Sequence, residues 1–242
     1  MSERKQSKPK QHMEVVQNWE PRTKLGVLVK SGQVNDIDQI LNKGERIFEA
    51  QIVEHLLPDA KTELLFIGQA KGKFGGGQKR AFKQTQKKTP EGNKPSFASF
   101  AVFGNENGYV GGGYGKSKDT VPSREKAMRN AKLDVFKIRR GCGSWECGCK
   151  EPHSIPFEVE GKVGSVIIRL MPAPKGKGLV VESQCQKILK AAGIKDVRSK
   201  TFGQTKQKQN LIKACLMALR KLSEMKVQPR HVEQLGVHEG KR

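Results

Sequence analysis

A 242-residue chain with 46 Lys and Arg against 24 Asp and Glu carries a net charge of +22, which points to a polyanionic partner, nucleic acid first, with an anionic membrane surface or simple solubility as the alternatives. No run of about 18 apolar residues occurs, so no membrane-spanning helix is expected, and the polar N-terminus lacks the apolar stretch of a secretory signal. With 6% aromatic residues a sheet that reads single strands by stacking is disfavoured, and five cysteines, an odd number with three bunched together, suit a reducing compartment better than a disulfide framework.

In chain order, residues 1–46 read as an N-terminal extension and arm. Residues 1–18 are polar and expected to order only on a partner, and 19–29 join Trp19, Pro21 and an apolar patch into an extended arm. Val34, Ile37, Ile40 and Leu41 have helical spacing, with Gly44 as the stop. Residues 47–140 read as a first domain, with strands at 47–53, 63–68 and 95–103 and a turn at 104–108 before Tyr109 and Val110. A helix is expected over 123–138, with Ser123 as N-cap and Ala127, Ala131, Val135 and Ile138 on its buried face. This α+β order, αβββα with a basic loop between strands, resembles a double-stranded-RNA-binding module, which reads helix shape through phosphates and 2′-hydroxyls.

A Cys/Gly-rich connector at 141–152 leads to a second small α+β domain at 153–225. Its expected order is ββαβα: strands at 155–160 and 164–171, a helix at 180–192, a strand at 194–200 and a helix over 206–225. Leu211, Cys215, Ala218, Leu219 and Leu222 line one face of that last helix, and residues 226–242 read as a basic tail.

Two kinds of loop carry chemistry. Between Lys71 and Lys94 lie eight Lys/Arg residues and one acid, Glu91, flanked by glycine clusters; further basic segments stand at the N-terminus and around Lys195–Lys208. Glycine lets backbone N–H groups approach an anion and lysine neutralises it. On that ground Lys71, Lys73, Lys79, Arg80 and Lys83, then Gly111, Gly113, Gly115, Lys116 and Lys118, and finally Lys175 and Lys177 in the loop 172–178, are the candidate RNA contacts. Gly115-Lys116-Ser117 lacks the preceding glycine of a P-loop, since Val110 stands there, and no GxGxxG occurs. The second feature is Cys142-x4-Cys147-x-Cys149-x3-His153, three thiols and an imidazole that match a closed zinc site in kind, though the spacing is not that of a standard knuckle. No cofactor is required by this reading; zinc is the one candidate. No catalytic Ser–His–Asp or Cys–His set emerges, His12, His55, His231 and His238 read as surface residues, and Cys185 and Cys215 as buried hydrophobes.

The segments WEPRTKLG (19–26), FGNENGYVGGGYGK (103–116), AMRNAKL (127–133), RRGCGSWECGC (139–149), EPHSI (151–155), VGSV (163–166) and LMPAPKGKGL (170–179) together resemble universal small-subunit ribosomal protein five, in its archaeal form for the arm and connector. The resemblance covers residues 19–222. It implies a structural, non-enzymatic constituent of the cytoplasmic ribosome that binds small-subunit rRNA near the decoding region and the path by which messenger RNA enters. It also implies contact with small-subunit ribosomal protein four at an interface tied to translational accuracy. The family's basic hairpin falls on Lys71, Lys73, Lys79, Arg80 and Lys83, and its glycine loop on Gly111, Gly113, Gly115 and Lys116. The chain departs from the family pattern in the insert between Lys83 and Pro95 and at Gly112, where a larger residue is expected. A free-standing double-stranded-RNA regulator or RNA chaperone is the rival reading, and an enzyme on the second domain's fold a third.

Overall fold

The computed structural model describes residues 19–70, 77 and 79–240; Lys71, Lys73 and the polar residues 1–18 lie outside them. The chain divides into two compact units at Pro58 and Asp59.

The first unit holds three short helices, α1 (Lys24–Lys30), α2 (Ile37–Lys43) and α3 (Ala50–Leu56). Thr23 caps α1 by accepting from the Gly26 N–H, so the expected extended arm is helical from Lys24 onward. Gly44 closes α2 in the left-handed conformation, as its position in the sequence predicts. The strand expected at 47–53 is instead α3, which buries Ala50, Ile52 and Val53. Ile47, Ile52 and Val53 favour a strand locally, and burial of Ile52 and Val53 on a helical face overrides them. Glu49 binds the unit together: its carboxylate accepts from Trp19 Nε1 at 2.8 Å and from the Arg22 and Thr23 N–H groups at 2.9 and 2.7 Å. Burial opposes ionisation there, but these donors and the Thr23 hydroxyl outweigh it and hold the carboxyl below its usual range.

In the second unit a five-stranded antiparallel sheet runs β1 (Lys61–Leu65), β3 (Gly92–Gly104), β4 (Tyr109–Ser117), β5 (Val135–Lys137), with β2 (Phe82–Thr89) also paired to β3. The insert from Lys83 to Pro95 is thus a hairpin: β2 and β3 pair from Phe82↔Ser99 to Thr89↔Gly92 around Pro90-Glu91. Helix α4 (Thr120–Leu133) crosses one sheet face, burying Ala127 and Ala131 completely. Ser123 is not its cap but lies within its first turn, where its hydroxyl donates to Gly115 O at 3.1 Å. The helix stops at Leu133; Val135 and Ile138 are buried as expected, but from β5 and the residue that follows it.

After β6 (Arg139–Arg140) no helix or strand occurs until β7 (Val159–Val163). A second sheet, ordered β7, β8 (Val166–Pro172), β10 (Val197–Phe202), β9 (Leu179–Val180), carries helices α5 (Ser183–Ala191) and α6 (Lys208–Glu224). One apolar cluster joins the two sheets, from Leu65, Phe100 and Val102 through Ile168 and Leu170 to Ile188, Leu216 and Leu219. Cys185 and Cys215 are fully buried within it. The segment read as a basic tail carries α7 (Pro229–Leu235) and β11 (His238–Glu239), which pairs with β6.

Candidate nucleic-acid interface and metal-ligand cluster

The foot of the β2–β3 hairpin is held by backbone. Gly68 N–H donates to Arg80 O at 3.0 Å, Arg80 N–H to Gln69 O at 3.1 Å, and Ala70 bridges Lys79. A side chain on Gly68 would put its Cβ 2.0 Å from Phe82 O, so glycine here allows the two segments to close. Phe82 packs edge-on to Phe97 at 5.6 Å between ring centroids, with the Arg80 and Arg124 guanidinium groups each 5.9 Å from its ring. The cations therefore have an apolar base to rest on and an outer face free to meet solvent or an anion.

Lys79, Arg80 and Lys83 border a cleft of about 610 Å³ whose opposite wall is the loop before α6. That loop supplies Lys206 and Lys208, giving five cations and no acid among the fourteen lining residues. The basic run around Lys195–Lys208 is visible in the sequence, but Lys206 and Lys208 join the hairpin only through the fold. Across the cleft, Lys83 Nζ reaches toward Gln207 Oε1 at 3.5 Å. Lys208 is partly committed, pairing with Glu182 at 2.9 Å. Burial disfavours the Glu182 charge, yet Lys208 and the N–H groups of Gln184 and Cys185 at the start of α5 outweigh it and lower the carboxyl.

The remaining expected contacts lie elsewhere. Lys116 and Lys118 are exposed at the end of β4 and do not line the cleft. Gly111, Gly113 and Gly115 need correction: they form no loop but sit in β4, buried beneath α4. A Cβ on Gly113 would lie 2.1 Å from Ala131 N and 2.2 Å from Ala127 O; one on Gly115 would lie 2.2 Å from Ser123 O. These glycines exist for close packing of helix on strand, and their faces leave no room for a phosphate. Gly112 faces the other way, where a Cβ would meet Leu216 Cδ1 at 2.2 Å, so α6 fills the space that a larger residue would need.

Lys175 and Lys177 are exposed on the loop between β8 and β9, shaped by Gly176 and Gly178 at φ +86° and +75°. Lys175 pairs with Glu151 at 2.7 Å, which raises its ammonium pKa. Beside this loop the structure brings Cys142, Cys147, Cys149 and His153 together, with their ligand-type atoms all within 4.8 Å of one another. Cys147 Sγ is 3.9 Å from His153 Nε2. The other ring nitrogen, Nδ1, is 2.8 Å from Asp196 Oδ2, both residues being buried. The Lys175 and Cys149 backbone N–H groups draw the Cys147 thiol down to about 6, whereas burial, then the neighbouring thiols, push Cys142 up to about 11. Four such groups could hold a soft divalent ion.

Two family models match this chain: "Ribosomal protein S5, N-terminal domain" over residues 79–139 and "Ribosomal protein S5, C-terminal domain" over 161–231. Among curated relatives, the small ribosomal subunit protein uS5 of Nanoarchaeum equitans is 47% identical, across 93% of this chain and 96% of its own length. Its counterpart in Methanocaldococcus jannaschii is 42% identical across 93% and 97%, and that of Staphylothermus marinus 44% across 86% and 90%. With both halves matched and near full-length identity above 40%, the chain belongs to the ribosomal protein S5 family.

Proposed function

We propose that this protein is a structural constituent of the small ribosomal subunit and grips rRNA phosphates at the cleft between the β2–β3 hairpin and the loop before α6. The observation that carries the reading is the convergence of Lys79, Arg80, Lys83, Lys206 and Lys208 around one opening with no acid among its described lining residues. Cations so arranged bind a folded sugar–phosphate backbone by charge and position, with little reading of base identity. The relatives' name supports the ribosomal setting, and their full-length coverage favours it over a free-standing RNA regulator. Family membership speaks for a structural rather than an enzymatic role.

The sheet and α4 act in the manner of a double-stranded-RNA-binding module, with the exposed Lys87, Lys88 and Lys94 extending the grip along the hairpin. Lys116, Lys118, Lys175 and Lys177 form outlying phosphate contacts. Contact with small-subunit ribosomal protein four, a position near the decoding region and the messenger entrance path, and support of subunit assembly and translational accuracy complete the reading on family resemblance. The test is sedimentation: small subunits washed in moderate salt retain one copy per particle, whereas a free-standing regulator is lost to the supernatant.

A further inference from the structure

We propose that Cys142, Cys147, Cys149 and His153 bind one zinc ion in a closed tetrahedral site, with Asp196 orienting the histidine, and that the ion fixes the loop carrying Lys175 and Lys177.

Zn–S and Zn–N bonds of about 2.3 and 2.0–2.1 Å set tetrahedral edges of about 3.6–3.8 Å between ligand atoms. The Cys147 Sγ to His153 Nε2 separation of 3.9 Å is close to such an edge, and the four groups lie within a 4.8 Å span that small side-chain shifts would close. Three thiols with an imidazole select a zinc-type ion over magnesium or calcium, and four protein ligands leave no open position, which makes the site structural. His153 is already directed: its Nδ1 faces the Asp196 carboxylate at 2.8 Å, leaving Nε2 toward the thiols. A carboxylate hydrogen-bonded to the far nitrogen of a zinc-binding histidine fixes its tautomer and ring orientation and raises its basicity.

The connector gives an independent reason. Residues 143–150 contain no buried residue, and Trp145 is 93% exposed, so apolar packing does not hold this segment. Backbone bonds such as Gly143 N–H to Ile155 O at 3.2 Å and the Arg198–Glu146 pair at 3.4 Å hold it in part, and a metal cross-link would supply the fixing that apolar packing does not.

The same residues reach the basic loop. Asp196 Oδ1 accepts from Gly178 N–H at 2.8 Å, and the Ser154 hydroxyl, next to His153, accepts from Ala173 N–H at 3.3 Å. Two points along Pro172–Gly178, Ala173 and Gly178, thus hang on the immediate support of the cluster. The cluster also reaches the C-terminal segment, because Cys142 N–H donates to Leu235 O at 2.8 Å. Helix α7 buries no side chain of its own and depends on such anchors.

The test uses purified full-length protein. Elemental analysis is expected to return one zinc per chain, and cobalt replacement to give the strong visible ligand-field absorption of a tetrahedral thiolate site. Asp196→Asn should weaken zinc affinity about 10–100-fold, and chelation should speed amide exchange across 173–178 while leaving β3 and α4 protected. Cys147→Ser should lose the stoichiometric zinc; if that variant does not fold, cobalt titration of the unaltered chelated chain replaces it. Folded protein without stoichiometric metal, iron as the sole occupant, or Cys142, Cys147 or Cys149 recovered in a disulfide overturns the site; unchanged exchange at 173–178 overturns the coupling. All these measurements are made without RNA, so failure of the proposed rRNA interface leaves them standing.

Discussion

Gly113→Ala separates packing from RNA contact in the glycine-rich strand. The new methyl would lie 2.1 Å from Ala131 N and 2.2 Å from Ala127 O, both backbone atoms of α4 that no rotamer change can move. Ordinary contact begins near 3.4 Å, so α4 must lift off β4 by about 1.3 Å, uncovering the fully buried Ala127 and Ala131. Overpacking against backbone falls at the upper end of the usual range, about 3 kcal/mol, which lowers the melting midpoint by roughly 6–12 °C for a chain of this size. Gly112→Ala is the control. Its clash is with Leu216 Cδ1, the end of a flexible side chain, and its expected cost is about 1 kcal/mol. Thermal unfolding by circular dichroism and rRNA binding across a salt series read both variants, and the RNA salt slope should not change in either. A Gly113→Ala protein that melts normally but binds RNA with a shallower slope would restore the strand as an RNA contact and remove its packing role.

The cleft cations make a second prediction: Lys79→Ala, Arg80→Ala and Lys206→Ala should each shallow the log-affinity against log-salt slope by about 0.7–0.9, with melting unchanged within 1–2 °C. Glu182→Gln tests the α5 cap by urea unfolding against pH. The depressed wild-type carboxyl contributes stability that is complete above the ordinary carboxylate range and disappears as pH falls through its folded value. The variant should therefore be less stable at pH 7 by about 1 kcal/mol and converge on wild type in acid; a pH-independent difference would count against the charge. Glu49→Ala removes the acceptor for three donors, so Trp19, now 8% exposed, should become solvent-accessible and its emission shift red. Unchanged emission would show that the arm is held by something else.

Much of the α+β order is legible in the sequence, because the apolar faces of β3, α5 and α6 are long and periodic. Phe100, Val102, Ile188, Leu219 and Leu222 all lie in the core that such patterning implies. The hairpin strand β2 was hidden because FKQTQKKT offers no alternation of apolar and polar residues. Its one local signal is Pro90-Glu91-Gly92, a turn between two polar runs, with Gly92 at φ +117°. The glycines of β4 mislead for a different reason. Glycine serves equally at a phosphate and under a helix, and the α4 backbone at Ser123, Ala127 and Ala131, a separate element of the chain, decides between them. The metal-type cluster is legible as three cysteines and a histidine within 12 residues, whereas Asp196, 43 residues beyond His153, is not, since a lone acid carries no local pattern. Lys206 and Lys208 were invisible as partners of the hairpin for the same reason: their value lies in a long-range juxtaposition.

Protein–RNA cross-linking in intact small subunits, read peptide by peptide with mass spectrometry, asks whether the cleft holds rRNA. Nucleotides of small-subunit rRNA should be recovered on peptides spanning Lys79–Lys83 and Thr205–Gln209 in the same particles. Recovery of both peptides free of nucleotide, with cross-links confined to other surfaces of the chain, would contradict the proposed grip.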